Sequence, residues 1–151
     1  MRQVERLRGR VGVITGAESE AATAVARALA AEGMSLMLIA QPGAQVRALA
    51  EELSAMHDVR CFPASLDVAD PAAVDRIVMH AEQHVGTIDL LVNTLAGGMT
   101  EALRPTMVQR GRGVIANLPP APQLPTGDSV VTIVNVASED DAVSAILAGF
   151  S

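Results

Sequence analysis

The 151 residues carry a net charge of −6, all eleven basic residues are arginine, and neither tyrosine nor tryptophan occurs. That length allows one domain with its own core, residues 1–151, and an acidic balance without an arginine cluster or interleaved aromatics excludes nucleic acid as a partner. No apolar run approaches a membrane span, so no membrane partner is expected, and chemistry that needs a Tyr phenol or a Lys ammonium from this chain is excluded.

In chain order, Leu7-Arg8-Gly9-Arg10 leads into an apolar strand, Val11 to Thr15. A helix follows from about Ser19 to Glu32, with Ala22, Val25, Ala26, Leu29 and Ala30 on one stripe. Gly33 stops it. Ser35 to Ala40 is too short and too apolar for a surface helix and reads as a buried parallel strand. Gln41-Pro42-Gly43 turns the chain into a second helix with Val46, Leu49, Ala50 and Leu53 inward. Val59 to Ala64 is a third strand that holds Cys61 as a small core residue. Asp70 as N-cap and Pro71 at N1 open a third helix, to about Val85, with Val74, Ile77, Val78 and Ala81 inward. Ile88 to Val92 is a fourth strand, closing on Asn93-Thr94-Leu95-Ala96-Gly97-Gly98.

The pattern thins from Thr100. Glu101 to Gln109 reads as a short helix disturbed by Pro105, and Gly113 to Leu118 as a fifth strand. Pro119 to Pro125 holds four prolines in seven residues and is no helix. Val130 to Ala137 reads as a sixth strand and Ser138 to Ala148 as a closing helix, with Ser138 and Asp141 as its capping pair. Alternating strands and helices with short connections define an α/β, doubly wound, mainly parallel sheet in the order 3-2-1-4-5-6, with a truncated second half. Residues 119–128 in polyproline geometry reach roughly 31 Å, against about 20 Å for a six-residue strand. A parallel sixth strand is therefore within reach without a helix; an antiparallel edge strand is the alternative.

Several spaced segments resemble the short-chain dehydrogenase/reductase family. Gly9 to Thr23 (GRVGVITGAESEAAT) is similar to that family's T-G-x-x-x-G-x-G turn, with Thr15 and Gly16 in place but Glu20 and Ala22 where two glycines belong. Asp67-Val68 matches the pair that contacts adenine, and Asp89-Leu90-Leu91-Val92-Asn93 matches the D-x-L-V-N before N-A-G. Residues 7–98 match well; 99–151 read as shortened and irregular. The resemblance implies a Rossmann-like domain that binds NAD or NADP through Gly16, Ser19, Glu20, Gln41, Asp67, Val68, Asn93 and Gly97. It also shows what departs. Most of the fourth crossover helix, with its catalytic asparagine, is expected to be missing between Gly98 and Glu101. Pro119-Pro120 follow the fifth strand where the catalytic serine belongs, and the Y-x-x-x-K helix has no counterpart.

No catalytic residue is therefore assigned. A positioned proton donor contributes about 10²- to 10⁴-fold, and the expected function is a protein without intrinsic catalysis, a weak dinucleotide-binding or interaction subunit. The alternative is an NAD(P)-dependent oxidoreductase completed by a partner chain. A Glu20 carboxylate about 4 Å from a phosphate charge would oppose binding by up to roughly 4 kcal/mol at a dielectric near 20, so NAD or NADP binding is expected to be weak or absent. Glu18 and Glu20 also suit the first turn of a helix by themselves. Ala40 and Gln41 end the second strand with neither the acid of an NAD user nor the arginine of an NADP user. Asp67 could also serve only to cap its loop.

His80 and His84, four apart on a helix, lack a third ligand and read as surface residues, so no metal site is expected. A thinly covered sheet face over the shortened half leads to the expectation of a homodimer or a complex with a related subunit. The lone Cys61 and a start at Met1 without an apolar leader lead to a cytoplasmic expectation.

Overall fold

The computed structural model describes residues 7–42, 46–94, 98–118, 131–135 and 139–149. Their elements run β1 (Val11–Thr15), α1 (Glu20–Ala31), β2 (Ser35–Ala40), α2 (Arg47–His57), β3 (Cys61–Ser65), α3 (Pro71–His84), β4 (Leu90–Asn93), α4 (Met99–Arg110), β5 (Val114–Asn117), β6 (Thr132–Asn135) and α5 (Glu139–Gly149). The six strands form one sheet in the order β3-β2-β1-β4-β5-β6. All five neighbouring pairs are parallel.

Burial on both faces explains why the central strands are unbroken apolar runs. The side chains of Ile14, Leu36, Leu38, Leu90 and Val92 pack under α1, α2 and α5. Those of Val13, Met37, Ile39, Leu91 and Ile115 pack under α3 and α4. Gly12 is the exception within β1, and packing accounts for it. A Cβ there would lie 2.7 Å from the Met34 sulfur and 3.2 Å from a Leu36 methyl carbon. Pro63 sits in β3, the edge strand, where a missing N–H disturbs only one ladder.

The capping signals give the helix starts. Ser19 Oγ accepts the Ala22 N–H at 3.2 Å and Asp70 Oδ1 accepts the Ala72 N–H at 3.1 Å, with Pro71 opening α3. The Ser138–Asp141 capping pair lies outside the described residues.

Two expectations need correcting. The fourth crossover helix is present: α4 runs for 12 residues from Met99 to Arg110, starting before the expected Glu101 and continuing through Pro105. Its stripe of Met99, Leu103 and Met107 holds it to the sheet, which outweighs the local cost of the proline. Met107 lies across Gly113, where a Cβ would come within 2.5 Å of the sulfur. The sheet face there is accordingly not bare, because Ile115, Val131 and Ile133 are buried in the same cluster as α4. The open question about the sixth strand also closes: β6 is parallel to β5.

Candidate functional site

All six strands end on one edge, and α1 begins there. Gly16 is buried and adopts φ +62°, a left-handed conformation that glycine takes without penalty. This lets the chain leave β1 and enter α1 within four residues. The N–H groups of Glu20 and Ala21, the first two of α1, have no partner inside the helix and face the direction from which an anion would approach. Ser19 occupies the N-cap, half-buried, while Glu18 and Glu20 are exposed beside it. Gly16, Ser19 and Glu20 thus lie together on this turn.

Gln41 joins them through a contact that the spacing did not suggest: its backbone N–H donates to Glu18 Oε1 at 3.2 Å. One carboxylate of the turn therefore lies against the end of β2. Asp67 and Val68 lie on the loop after β3, and both are engaged internally. Asp67 Oδ1 accepts the Ala69 N–H at 2.9 Å, the loop-capping role. The Val68 carbonyl accepts the Gly98 N–H at 2.7 Å. Gly97 lies outside the described residues.

Asn93 is buried, and its neighbours were not anticipated. Its Nδ2 donates to Asn117 Oδ1 at 3.0 Å and to Thr100 Oγ1 at 2.9 Å, and Asn117 Nδ2 donates to Asn135 Oδ1 at 3.1 Å. The three asparagines close β4, β5 and β6 and lie in register, Asn93 opposite Asn117 and Asn117 opposite Asn135. A ladder of primary amides suits this geometry because each offers a donor to one neighbour and an acceptor to the other. Beside it Thr94 Oγ1 donates to the Thr15 carbonyl at 2.6 Å, and the Thr94 N–H donates to Thr15 Oγ1 at 3.2 Å. The signal was present in the sequence as an asparagine at the end of three apolar runs.

Among the described residues no group of three His, Cys, Asp or Glu is placed to hold a metal, and no helix is long and apolar enough to cross a membrane. His80 and His84 lie with ring centroids 4.4 Å apart and planes tilted by 41° on exposed turns of α3. Cys61 is buried beside Ser54 Oγ, which accepts the Cys61 N–H at 3.1 Å, and burial pushes its thiol above the ordinary value.

A parallel doubly wound sheet with a glycine turn opening the first helix at its carboxyl edge defines an α/β protein of the nucleotide-binding kind. The family profile for short chain dehydrogenase matches residues 10–110, and the chain belongs to that family. Among its relatives, 2,3-dihydro-2,3-dihydroxybenzoate dehydrogenase of Bacillus subtilis is 35% identical over 103 residues, which is 68% of this chain and 37% of that enzyme. L-xylulose reductase of Aspergillus niger is 35% identical over 98 residues, 58% of this chain and 33% of the relative. The chain spans about a third of the length of such curated relatives.

Among solved structures, L-sorbose reductase from Gluconobacter frateurii, in complex with NADPH and L-sorbose, matches with a TM-score of 0.65 at 27% identity, over 74% of this chain and 52% of that one. A metagenomic short-chain oxidoreductase in complex with NADP matches with a TM-score of 0.74 over 97% of this chain and 92% of that one. At 20% identity that second likeness concerns the fold alone.

The turn's own donors and charges decide how well a dinucleotide fits it. The backbone fits: Gly16 has the required conformation and the first N–H groups of α1 are directed outward. The side chains fit less well, because Glu18 and Glu20 add negative charge where a pyrophosphate would approach the backbone.

Proposed function

We propose that this chain is a nicotinamide-dinucleotide-binding member of its family without intrinsic oxidoreductase catalysis, serving as a weakly binding sensor or interaction subunit. The observation that carries this reading is the composition of the edge itself. A phosphate-type turn built on Gly16 is kept, while its flanks are Glu18 and Glu20 and the 151 residues offer neither tyrosine nor lysine.

Gly16, Ser19 and the first N–H groups of α1 would hold the pyrophosphate. Gln41, Asp67 and Val68 would border the adenosine, and Asn93 and Gly97 the nicotinamide end. The bound dinucleotide would supply hydride chemistry in a family member equipped to use it. In this chain the buried amides near that end, Asn93 and Asn117, are neutral and hydrogen-bonded to each other. An amide of this kind neither gives nor takes a proton near neutral pH, so these residues position the strand ends and do not replace a phenol–ammonium pair.

The second reading rests on family membership: an NAD(P)-dependent oxidoreductase of the carbonyl reductase or alcohol dehydrogenase class, completed by an acid from a partner chain. Either reading is compatible with a homodimer or a complex with a related subunit. A cytoplasmic setting suits the free, buried Cys61.

Calorimetric titration with NAD, NADH, NADP and NADPH tests the reading. The expected dissociation constants are weaker than those of an active dehydrogenase, and Glu20→Gly tightens the best of them at least tenfold. Unchanged affinity in that variant overturns the account of the turn. No binding of any dinucleotide by either protein overturns the sensor role.

A further inference from the structure

The second strand ends on Ala40 and Gln41 and brings no charge of its own, yet the fold places a carboxylate there. The Ala17 N–H donates to the Ile39 carbonyl at 2.9 Å, which ties the turn after Gly16 to the last residues of β2. From the next position Glu18 reaches the strand end, where its Oε1 accepts the Gln41 N–H at 3.2 Å. That end is also fixed from the β3 side. Ser65 Oγ donates to the Gln41 carbonyl at 3.2 Å, and the Leu66 N–H donates to the Ala40 carbonyl at 3.1 Å. Glu18 therefore docks on a backbone that is itself held.

A carboxylate has two oxygens that accept several hydrogen bonds and donate none. The contact with Gln41 uses one oxygen, and Glu18 and Gln41 are both exposed to solvent. In dinucleotide-binding folds an acid about 20 residues beyond the glycine turn accepts from the adenosine ribose 2′-hydroxyl. Alanine and glutamine stand there in this chain, and Glu18 brings the missing charge from the turn instead. The ribose diol is neutral and offers two O–H donors, which suits a carboxylate through charge-assisted hydrogen bonds. A phosphate on the 2′ oxygen would meet that carboxylate as a like charge. Nor does the sequence supply a counter-charge. Residues 15–23, 40–46 and 64–70, which make the turn and the ends of β2 and β3, contain no arginine, lysine or histidine, while Asp67 and Asp70 add to the acid.

We infer that Glu18 is the specificity-determining residue of this edge: its carboxylate, docked on the end of β2, takes the adenosine ribose diol and selects NAD and NADH over their 2′-phosphorylated counterparts. This role presupposes the dinucleotide reading of the edge and adds to it which dinucleotide is taken and through which side chain. It also separates the two acids of the turn. Glu20 opens α1, where it opposes a pyrophosphate, whereas Glu18 is engaged at the strand end and favours an unphosphorylated ribose. The site is exposed, so salt screens the repulsion and the preference for NAD over NADP is roughly tenfold rather than absolute.

The test is calorimetric titration of the 151-residue protein with NAD, with NADP and with NAD lacking the adenosine 2′-hydroxyl, at matched low ionic strength. NAD is expected to bind roughly tenfold tighter than NADP and about threefold tighter than the deoxy compound. Glu18→Gln keeps a side-chain oxygen for the Gln41 N–H and removes only the charge, at an exposed position. It should bring NAD and NADP within about threefold of each other. Glu18→Arg should turn the preference toward NADP. NADP bound as tightly as NAD by the unaltered protein overturns the role of Glu18, as does an unchanged NAD-to-NADP ratio in Glu18→Gln or in Glu18→Arg. Each of those results leaves the dinucleotide reading standing. Absence of binding by every dinucleotide overturns both.

Discussion

At the carboxyl edge of the sheet the buried and half-buried polar groups are neutral and close on one another: Thr15 with Thr94, Asn93 with Asn117, Asn117 with Asn135. At the amino edge of the same strands they are charged, and Asp89 is paired with Arg10 and Arg112 only at ion-pair distance. Among the described residues Asp89 Oδ1 has no hydrogen-bond donor, and Arg10 and Arg112 stand 3.9 and 3.6 Å from it. Both edges are made by the same strand register, so topology does not explain the contrast. The difference is chemical. Amides can be donor and acceptor in turn and form a self-satisfied row, whereas a carboxylate and guanidiniums need matched geometry to satisfy each other. The carboxyl edge therefore ties β4, β5 and β6 together, whereas toward the opposite edge Asp89 Oδ1 and Arg110 Nε and Nη1 have no hydrogen-bond partner among the described residues.

The largest expected effect breaks the closed edge. Asn117→Leu removes the middle rung and takes one hydrogen bond each from the buried Asn93 and the half-buried Asn135. A loss of about 2–3 kcal/mol is expected, read from urea denaturation. A loss below about 0.5 kcal/mol would show that the ladder is decorative. Gly16→Ala sharpens the same edge more gently. Its φ of +62° is left-handed, so a Cβ is expected to destabilise by about 1–2 kcal/mol and to weaken any dinucleotide binding with it.

Cys61 gives the smallest effect and lies at the amino end of β3. Burial raises its thiol, so the folded form holds the proton more tightly than the unfolded chain does. Its contribution is fully present below the unfolded thiol's pKa and is lost as pH rises through the folded value. Cys61→Ala should therefore flatten the alkaline limb of a stability profile after its constant cavity cost is subtracted. Parallel alkaline limbs would contradict this.

Much of the scaffold was legible in the residues. The stripe from Ala22 to Ala30, the Asp70-Pro71 start and the uninterrupted strand at Ser35–Ala40 each carry a local period or cap, and the structure has each where the pattern puts it. The helix from Met99 was harder to read. Its apolar residues, Met99, Leu103 and Met107, are spaced four apart but interrupted by Pro105, and tertiary contact with Gly113 and Ile115 decides its extent. At the candidate site, Gly16 and Ser19 were legible because a turn and a cap depend on neighbours in sequence. The Glu18–Gln41 contact, the asparagine ladder and the Arg10–Asp89–Arg112 group were not, because each joins residues from different strands or loops and only register brings them together.

The most direct test of the central claim is a turnover assay of the purified 151-residue chain with NADH or NADPH against a panel of ketones and aldehydes, followed by nicotinamide absorbance. The account predicts no carbonyl-dependent oxidation of the nicotinamide above the protein-free rate, even at dinucleotide concentrations that saturate binding. Steady reduction of a carbonyl by this polypeptide alone, growing in proportion to its concentration, would contradict it.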